Sequence, residues 1–100
     1  MGPRIILHSP QDGTTIDPPV CIDVEFVQTE KPIDYGSLTV EYCTYFWPLN
    51  VTDKVLPYLK DNRVQYTADT LPSGTHTFQV SVSDTAGDTT IESFTVTVNG

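Results

Sequence analysis

The sequence predicts an all-β fold: a sandwich of two antiparallel sheets with about seven strands and Greek-key connections. The first observation behind this prediction is composition, because the 100 residues include 11 Val, 6 Ile and 15 Thr against 2 Ala. Branched side chains favour strands over helices. The second is that short segments of alternating apolar and polar residues recur along the chain. The third is that Gly, Pro, Asn and Asp separate these segments about every 8 to 12 residues, a spacing typical of sandwiches.

The first third of the chain holds two predicted strands. Residues 4–8 form a short apolar strand, and residues 9–13 supply the Pro and Asp-Gly of a turn. Residues 14–16 are predicted to resume the same strand until Asp17-Pro18-Pro19 ends it, because proline donates no ladder hydrogen bond. From residue 20 to 26 the alternation is regular, which predicts a half-buried strand with its apolar side chains on one face.

The middle third is harder to assign. Residues 28–36 contain Pro, Asp and Gly and are predicted to form a loop. Alternation through Leu38, Val40 and Tyr42 then predicts a third strand. Residues 51–60 could begin a helical turn capped by Thr52, but Pro57 would interrupt it, so we predict an irregular segment.

The last third gives the clearest pattern. Residues 63–68 alternate again, and residues 71–74 form a turn. Two long alternating segments follow, through Phe78, Val80 and Val82 and then over residues 89–98, separated by the turn-forming residues 84–88. This arrangement predicts a β-hairpin.

Charge and hydropathy exclude several function classes. The chain has 5 Lys and Arg against 13 Asp and Glu, a net charge of −8. Phosphate binding needs clustered cations, so nucleic acid is excluded as a partner. A membrane span needs about 20 consecutive apolar residues, so direct membrane insertion is excluded as well.

The first residues lack the apolar stretch of a secretory signal, and a strand pattern runs almost to residue 100. We therefore expect residues 1–100 to be a single domain cut from a longer protein.

Several segments resemble the bacterial immunoglobulin-like domains found in arrays on surface and secreted proteins. The resemblance lies in residues 9–13, 71–80, 82–88 and 94–96, and the phrase from Leu71 and Gly74 to the Asp84–Asp88 loop is similar to the sixth strand of such domains and its loop. It implies an immunoglobulin-like sandwich, an extracellular or cell-surface location, and a non-catalytic role as a structural spacer or adhesion module. Neighbouring domains of the same chain are the implied partners, with a glycan or a surface protein as a further one.

Two features depart from the antibody type of this fold. Cys21 and Cys43 are only 22 residues apart and Trp47 follows both, so the usual bridge with a Trp between its cysteines is absent. His76 stands where such domains carry the tyrosine that hydrogen-bonds back at a strand corner. If the two cysteine-bearing strands lie in opposite sheets, their outward thiols cannot approach, which favours two free thiols over a disulfide. Neither cysteine has the spacing of a zinc site with His8 or His76.

Carboxylates in the predicted loops suggest a calcium site. Asp84 and Asp88, joined by Asp34 or Glu30, would lie at one end of the sandwich, and Ca²⁺ takes carboxylate and carbonyl oxygens. The alternative is that these residues serve turn formation and solubility, which is the more frequent role of Asp in loops. Apart from Ca²⁺ we predict no cofactor.

Aromatic residues suggest a contact surface. On an extended strand Tyr45 and Trp47 share the face opposite Phe46, so they could form an exposed platform for a glycan or a protein. A bulge would reverse this facing and place Trp47 in the core. Asn50-Val51-Thr52 fits a glycosylation acceptor, which would carry no meaning in a bacterial protein. No nucleophile motif, carboxylate pair or phosphate-binding glycine loop appears, so we predict no catalytic residues and no enzyme activity.

Overall fold

The computed structural model describes residues 2–9, 11–43, 48–68 and 73–99. In chain order the strands are β1 Arg4–Ser9, β2 Thr15–Ile16, β3 Val20–Val27, β4 Ile33–Cys43, β5 Pro48–Asn50, β6 Leu59–Lys60, β7 Arg63–Ala68, β8 Gly74–Asp84 and β9 Thr89–Val98. One helical turn, α1 Thr52–Val55, and a 3₁₀ turn, Leu56–Tyr58, lie between β5 and β6. No helix in these ranges is long and apolar enough to cross a membrane.

The strands form two sheets. The four-stranded sheet has the order β1-β3-β7-β6, and the five-stranded sheet has the order β2-β9-β8-β4-β5. All strand pairs are antiparallel except β2–β9, which is parallel. The chain crosses between the sheets from β1 to β2, from β2 to β3 and from β3 to β4, and β3 pairs with β7, which is distant in sequence. This is the arrangement of an immunoglobulin-like sandwich, and it confirms the predicted fold class.

The core fills the space between the two sheets. Alternation puts every second side chain of a strand on this inner face, and the apolar positions of β3, β4 and β8 that share a face are buried or partly buried. The central cluster consists of Val24, Phe26, Leu38, Val55, Val64, Val80 and Val82. Burying a side chain of this size stabilises a fold by about 1.5 to 3 kcal/mol, so this cluster supplies much of the stability.

The predicted continuation of the first strand is wrong. Residues 14–16 do not extend β1 within its sheet, because β2 crosses to the other sheet and pairs with the end of β9, with Thr15 opposite Thr97. A turn at residues 11–14 makes the crossing, closed by a hydrogen bond from Thr14 N to Gln11 O at 3.2 Å. Gly13 sits in this turn at φ 83°, a conformation that favours glycine. As predicted, Asp17-Pro18-Pro19 ends the segment.

The predicted loop over residues 28–36 is too long. β4 begins at Ile33, opposite Asp84, and its register with β8 shifts between Asp34 and Thr39. The Asp34 carboxylate accepts a hydrogen bond from Gly36 N at 3.0 Å. The Asp and Gly that indicate a loop therefore mark an irregularity inside a strand.

The segment 51–60 is more regular than predicted. It forms α1, the 3₁₀ turn and β6, and Val55 of α1 is part of the core. Thr52 does not cap the helix, because the capping position is Val51. Instead, the Thr52 hydroxyl accepts a hydrogen bond from Val40 N at 2.8 Å and ties the turn to β4. Pro57 lies in the 3₁₀ turn, which explains why the helix stops after one turn.

The final hairpin agrees closely with prediction. β8 and β9 pair in continuous register from Gly74 opposite Val98 to Ser83 opposite Thr89. Residues 71 and 72 of the predicted preceding turn lie outside the described residues.

Candidate functional site

The loop between β8 and β9 is built around a buried carboxylate. Asp84 is 3% exposed, and its Oδ1 accepts hydrogen bonds from Ala86 N at 2.9 Å and Asp88 N at 3.0 Å. Backbone hydrogen bonds of 3.0 Å close the same loop, from Asp84 N to Asp88 O and from Gly87 N to Asp84 O. The shape of this loop therefore depends on the Asp84 side chain.

The second oxygen of this carboxylate is different. Asp84 Oδ2 is buried and has no hydrogen-bond partner among the described residues. Burying a polar atom without a partner costs free energy. Asp84 thus combines a strong stabilising contact through Oδ1 with an unfavourable one through Oδ2.

The three carboxylates predicted to bind calcium differ in their surroundings. Asp34 is exposed and its Oδ1 accepts a hydrogen bond from Gly36 N, while Asp88 is exposed and its backbone N–H donates to Asp84 Oδ1. Within the described ranges, no group of three His, Cys, Asp or Glu side chains could hold a metal ion. The contacts of Asp34 and Asp84 thus favour the alternative, in which they form turns, and calcium binding stays a prediction.

The start of the chain is fixed at this same end of the sandwich, which we call the loop end. The Thr90 hydroxyl donates to Pro3 O, and the Thr29 hydroxyl donates to Gly2 O at 3.0 Å. Pro3 is fully buried. A Cβ on Gly2 would lie 2.7 Å from Thr90 Oγ1 and 3.1 Å from Asp88 O, so the backbone approaches the loop closely. The entry into the domain is thereby held against the β8–β9 loop.

The opposite end of β8 carries a second buried polar group, His76. It is 8% exposed, and its Nδ1 shares a hydrogen bond with the Tyr42 hydroxyl. The rings of Tyr42 and His76 lie 5.1 Å apart, and Phe78 lies 5.1 Å from the other side of Tyr42. Burial raises the pKa of Tyr42. His76, predicted at the position of a corner tyrosine, thus bonds to a tyrosine of the neighbouring strand.

The predicted aromatic contact surface cannot be placed, because Tyr45 and Trp47 lie outside the described residues. An exposed aromatic that is described is Tyr58 of the 3₁₀ turn, which is 49% exposed and packs edge-on against Tyr66 at 4.9 Å. Recognition of a glycan or protein by Tyr45 and Trp47 stays a prediction.

The two cysteines lie on strands of opposite sheets, as the free-thiol interpretation requires. Cys21 of β3 is exposed and free, and Thr67 Oγ1 lies 3.8 Å from its sulfur. Cys43 ends β4 in the other sheet, and its side chain lies outside the described part. A cleft of about 600 Å³ beside Cys21 is lined by polar and apolar residues from the end of β1 to the start of β3, including Ser9, Asp17 and Val20. The Ser9 hydroxyl donates to Cys21 O at 2.9 Å, so it is engaged with backbone rather than with a base.

Comparison with known proteins places the fold. No protein-family model matches the chain, and no curated protein matches it either. Among solved structures, the endo-β-1,4-mannanase from Thermotoga petrophila matches 98% of this chain over 20% of its own, with a TM-score of 0.70 and 17% identity. Dimeric latent PorU from Porphyromonas gingivalis matches 99% of this chain over 10% of its own, with a TM-score of 0.71 and 15% identity. The fibronectin(III)-like modules of CbhA from Clostridium thermocellum match 95% over 94%, with a TM-score of 0.55 and 14% identity.

These similarities establish the fold and no more, because all three identities are low. The chain spans a fifth of the mannanase and a tenth of PorU, so the same sandwich occurs there as one part of a much longer chain. The immunoglobulin-like resemblance seen in the sequence is confirmed at the level of the fold.

Sequence reasoning treated Asp84 as an exposed loop residue and missed its burial. The signal was present, because Asp84 continues the inward series of Phe78, Val80 and Val82 at a spacing of two residues. The same two-residue spacing places His76 on the inner face. A side chain in phase with the core side chains should therefore be expected inside even when it is polar.

Proposed function

We propose that this chain is a non-catalytic immunoglobulin-like module that carries tension as a spacer or adhesion domain within a larger extracellular or surface protein of a bacterium. The observation that carries this proposal is the position of the two chain ends. β1 starts opposite Val27, and Gly2 lies against the β8–β9 loop at the loop end. β9 finishes with Val98 opposite Gly74, at the other end of β8.

The ends therefore lie at opposite extremes of an elongated body, which measures 42 × 27 × 23 Å. β9 has 10 residues, which at about 3.3 Å per residue separates its two ends by about 30 Å. Modules linked through these ends would follow one another along their long axis. Such an array adds reach with few contacts at each junction.

Tension applied at the two ends would load the hydrogen bonds between residues 12–16 and β9 in shear. β1 and β2 run in the same direction as β9, so pulling on both ends drags the segment before β3 against β9. Gly13 N donates to Thr95 O at 2.7 Å, Thr97 N to Thr14 O at 2.9 Å and Asn99 N to Ile16 O at 2.9 Å. Asp12 Oδ1 adds a bond from Thr95 N at 2.8 Å.

We call these contacts between residues 12–16 and 95–99 the lateral clamp. Its bonds lie across the pulling direction and share the load, whereas bonds at an end would break one after another. The parts of larger bacterial chains that match this fold agree with a modular role, and the CbhA match covers modules that are themselves fibronectin(III)-like.

The test is single-molecule stretching of tandem copies of the 100-residue chain. We expect each copy to unfold in one event that releases about 300 Å, because an extended residue spans about 3.5 Å. Pulling the same chain between linkages at Ser73 and Asn99, which lie side by side at the end of the hairpin where Gly74 faces Val98, provides the control geometry. This pull opens the β8–β9 ladder one bond after another and does not shear the lateral clamp along β9. The proposal predicts a clearly higher unfolding force for end-to-end pulling. Equal forces in the two geometries would contradict it.

A further inference from the structure

The outer edge of β9 is covered along half of its length. The peptide groups of Thr95, Thr97 and Asn99 bond to residues 13–16 at 2.7 to 2.9 Å, and Asp12 Oδ1 caps Thr95 N. β2 pairs with β9 at Thr97 and Val98. The first half of β9 therefore extends beyond the segment that covers this edge.

Every second residue on this first half directs its peptide N–H and C=O away from β8. Alternate residues of a strand direct their N–H and C=O groups to the same side, and residues 95, 97 and 99 direct theirs toward β2. The pairing of β8 with β9 has no register shift, so Thr89, Ile91 and Ser93 present their peptide groups on the same side. In the part of the chain that the structure describes, nothing bonds to the peptide groups of Ile91 and Ser93 on that side.

Exposure confirms that this stretch is open. Ile91, Glu92 and Ser93 are three consecutive exposed residues, and Ile91 is 57% exposed. A strand covered on one face would alternate buried and exposed positions. We call residues 91–93 of β9 the open edge, which leaves out Thr90 because its hydroxyl donates to Pro3 O.

Side chains of the open edge specify what it can accept. Ile91 offers an apolar contact on the outer face of the sheet. Glu92 lies on the opposite, core-facing side and forms no ion pair with any described residue. An inward charge on an edge strand opposes pairing with an uncharged or acidic strand. A second copy of this chain would bring another Glu92 and a net charge of −8, so it is disfavoured as the occupant.

We propose that the open edge binds an extended peptide segment of a partner protein in which basic and apolar residues alternate, by strand addition to β9. Main-chain hydrogen bonds to Ile91 and Ser93 provide the affinity, as in other strand-addition complexes. A Lys or Arg opposite Glu92 and an apolar side chain opposite Ile91 provide the specificity. This inference does not rest on the spacer role.

The first test uses the acetylated and amidated peptide Thr-Lys-Val-Lys-Val-Thr as the probe and ¹⁵N-labelled protein. We expect the amides of Ile91 and Ser93 to exchange rapidly in the free protein. On peptide addition they should shift and gain at least tenfold protection. A peptide with Glu in place of Lys should bind at least tenfold more weakly, and added salt should reduce this difference.

Two variants locate the site. Ser93→Pro removes an N–H that points away from β8, so the ladder to β8 keeps its hydrogen bonds, and it should weaken peptide binding at least tenfold. Glu92→Lys should reverse the preference between the Lys and Glu peptides, and this result does not depend on whether the proline variant folds. Ser81→Ala on the central strand β8, opposite Ile91, is the matched control and should leave binding unchanged.

Several results would overturn the proposal. One is protection of the Ile91 and Ser93 amides in the free, monomeric protein, and another is the absence of shifts at millimolar peptide. Equal binding by wild type and both β9 variants would also contradict it. A concentration-dependent dimer that protects the same two amides without peptide would assign the edge to a second copy instead.

Discussion

Polar groups inside the sandwich and polar groups on its outer faces make similar hydrogen bonds but differ in environment. Asp84 and His76 lie between the sheets, at the two ends of β8. On the outer face of the four-stranded sheet, Arg63 donates two 2.6 Å hydrogen bonds to Asp23. A hydrogen bond whose loss leaves a buried group unpaired contributes far more than one that water can replace. Burial, more than bond length, should therefore rank the effects of substitution.

The two outer faces also differ from each other. Pairs that include charged side chains lie on the four-stranded sheet, where Arg63 binds Asp23 and His8 Nε2 lies 2.7 Å from Glu25 Oε1. Hydroxyl pairs cover the hairpin of the five-stranded sheet, such as Thr77 with Thr95 at 3.2 Å. Added salt should weaken the interaction of the charged groups and leave the hydroxyl–hydroxyl hydrogen bonds nearly unchanged.

Asp84→Ala should give the largest effect among these polar groups. It removes the acceptor of two loop N–H groups, and we expect a loss of about 2 to 3 kcal/mol in the free energy of unfolding. Asp84→Asn keeps one oxygen as acceptor and removes the charge at the unpartnered Oδ2, so it should cost about 1 kcal/mol or less. Urea unfolding of both variants checks the difference. Equal losses for Ala and Asn would mean that the Oδ1 contacts do not hold the loop.

Tyr42→Phe should rank second. The buried Nδ1 of His76 loses its hydroxyl partner while the ring packing against Phe78 remains, which we expect to cost about 1 to 2 kcal/mol. Tyr58→Phe removes a hydroxyl from an exposed ring that packs edge-on against Tyr66, and it is the matched control, with an expected change near zero. The same urea series measures the free energy of unfolding of both variants. A similar loss in the two would contradict the claim that a buried hydrogen bond contributes more than an exposed one.

Asp12→Ala should rank third. It removes the carboxylate that accepts from Thr95 N, a contact on the surface where water can take over. We expect a loss of about 0.5 to 1 kcal/mol in the free energy of unfolding. Thr75→Val, which removes a hydroxyl pair on the outer face with Thr97, serves as the comparison and should change stability less. A loss for Asp12→Ala as large as that for Asp84→Ala would contradict the ranking.

Asp23→Asn should have the smallest effect at neutral pH and a characteristic pH dependence. Hydrogen bonds from Arg63 hold the pKa of Asp23 below its usual range. A lowered pKa in the folded state stabilises the protein above the ordinary Asp pKa of about 4, and this stabilisation is lost as pH falls through the lowered value. The difference in stability between wild type and Asp23→Asn should therefore shrink as the pH falls below about 4 and vanish below the lowered pKa of Asp23. Urea midpoints at pH 7 and pH 3 test this, with Asp17→Asn as an exposed control; a gap that widens in acid would refute it.

The sequence was sufficient to predict the sandwich because alternation reports which side chains face the core, and it does so for β3, β7, β8 and the second half of β9. Alternation does not report which sheet a short segment joins, so the crossing of β2 could not be predicted from Thr15 and Ile16. A Gly close to an Asp in sequence indicates a change of backbone direction. Only the pairing partner of the segment tells a loop from a shift in register, as at Asp34 and Gly36.

The candidate site was less accessible to sequence reasoning. Turn residues such as Asp84 and Asp88 resemble cation ligands because both roles require carboxylates near backbone groups. The two-residue alternation of β8 distinguishes the two roles, because it places the Asp84 side chain on the core-facing side together with Val80 and Val82. The open edge could not be predicted, because it depends on how far β2 covers β9.

The measurement that tests the central claim most directly is the unfolding force of Asp12→Ala and Asp84→Ala in end-to-end stretching. Asp12 belongs to the lateral clamp, and Asp84 does not. Forced unfolding follows the barrier that is loaded rather than the equilibrium free energy. The account predicts that Asp12→Ala lowers the unfolding force more than Asp84→Ala, although it costs less free energy of unfolding. A larger drop in force for Asp84→Ala would contradict the claim that the lateral clamp bears the tension.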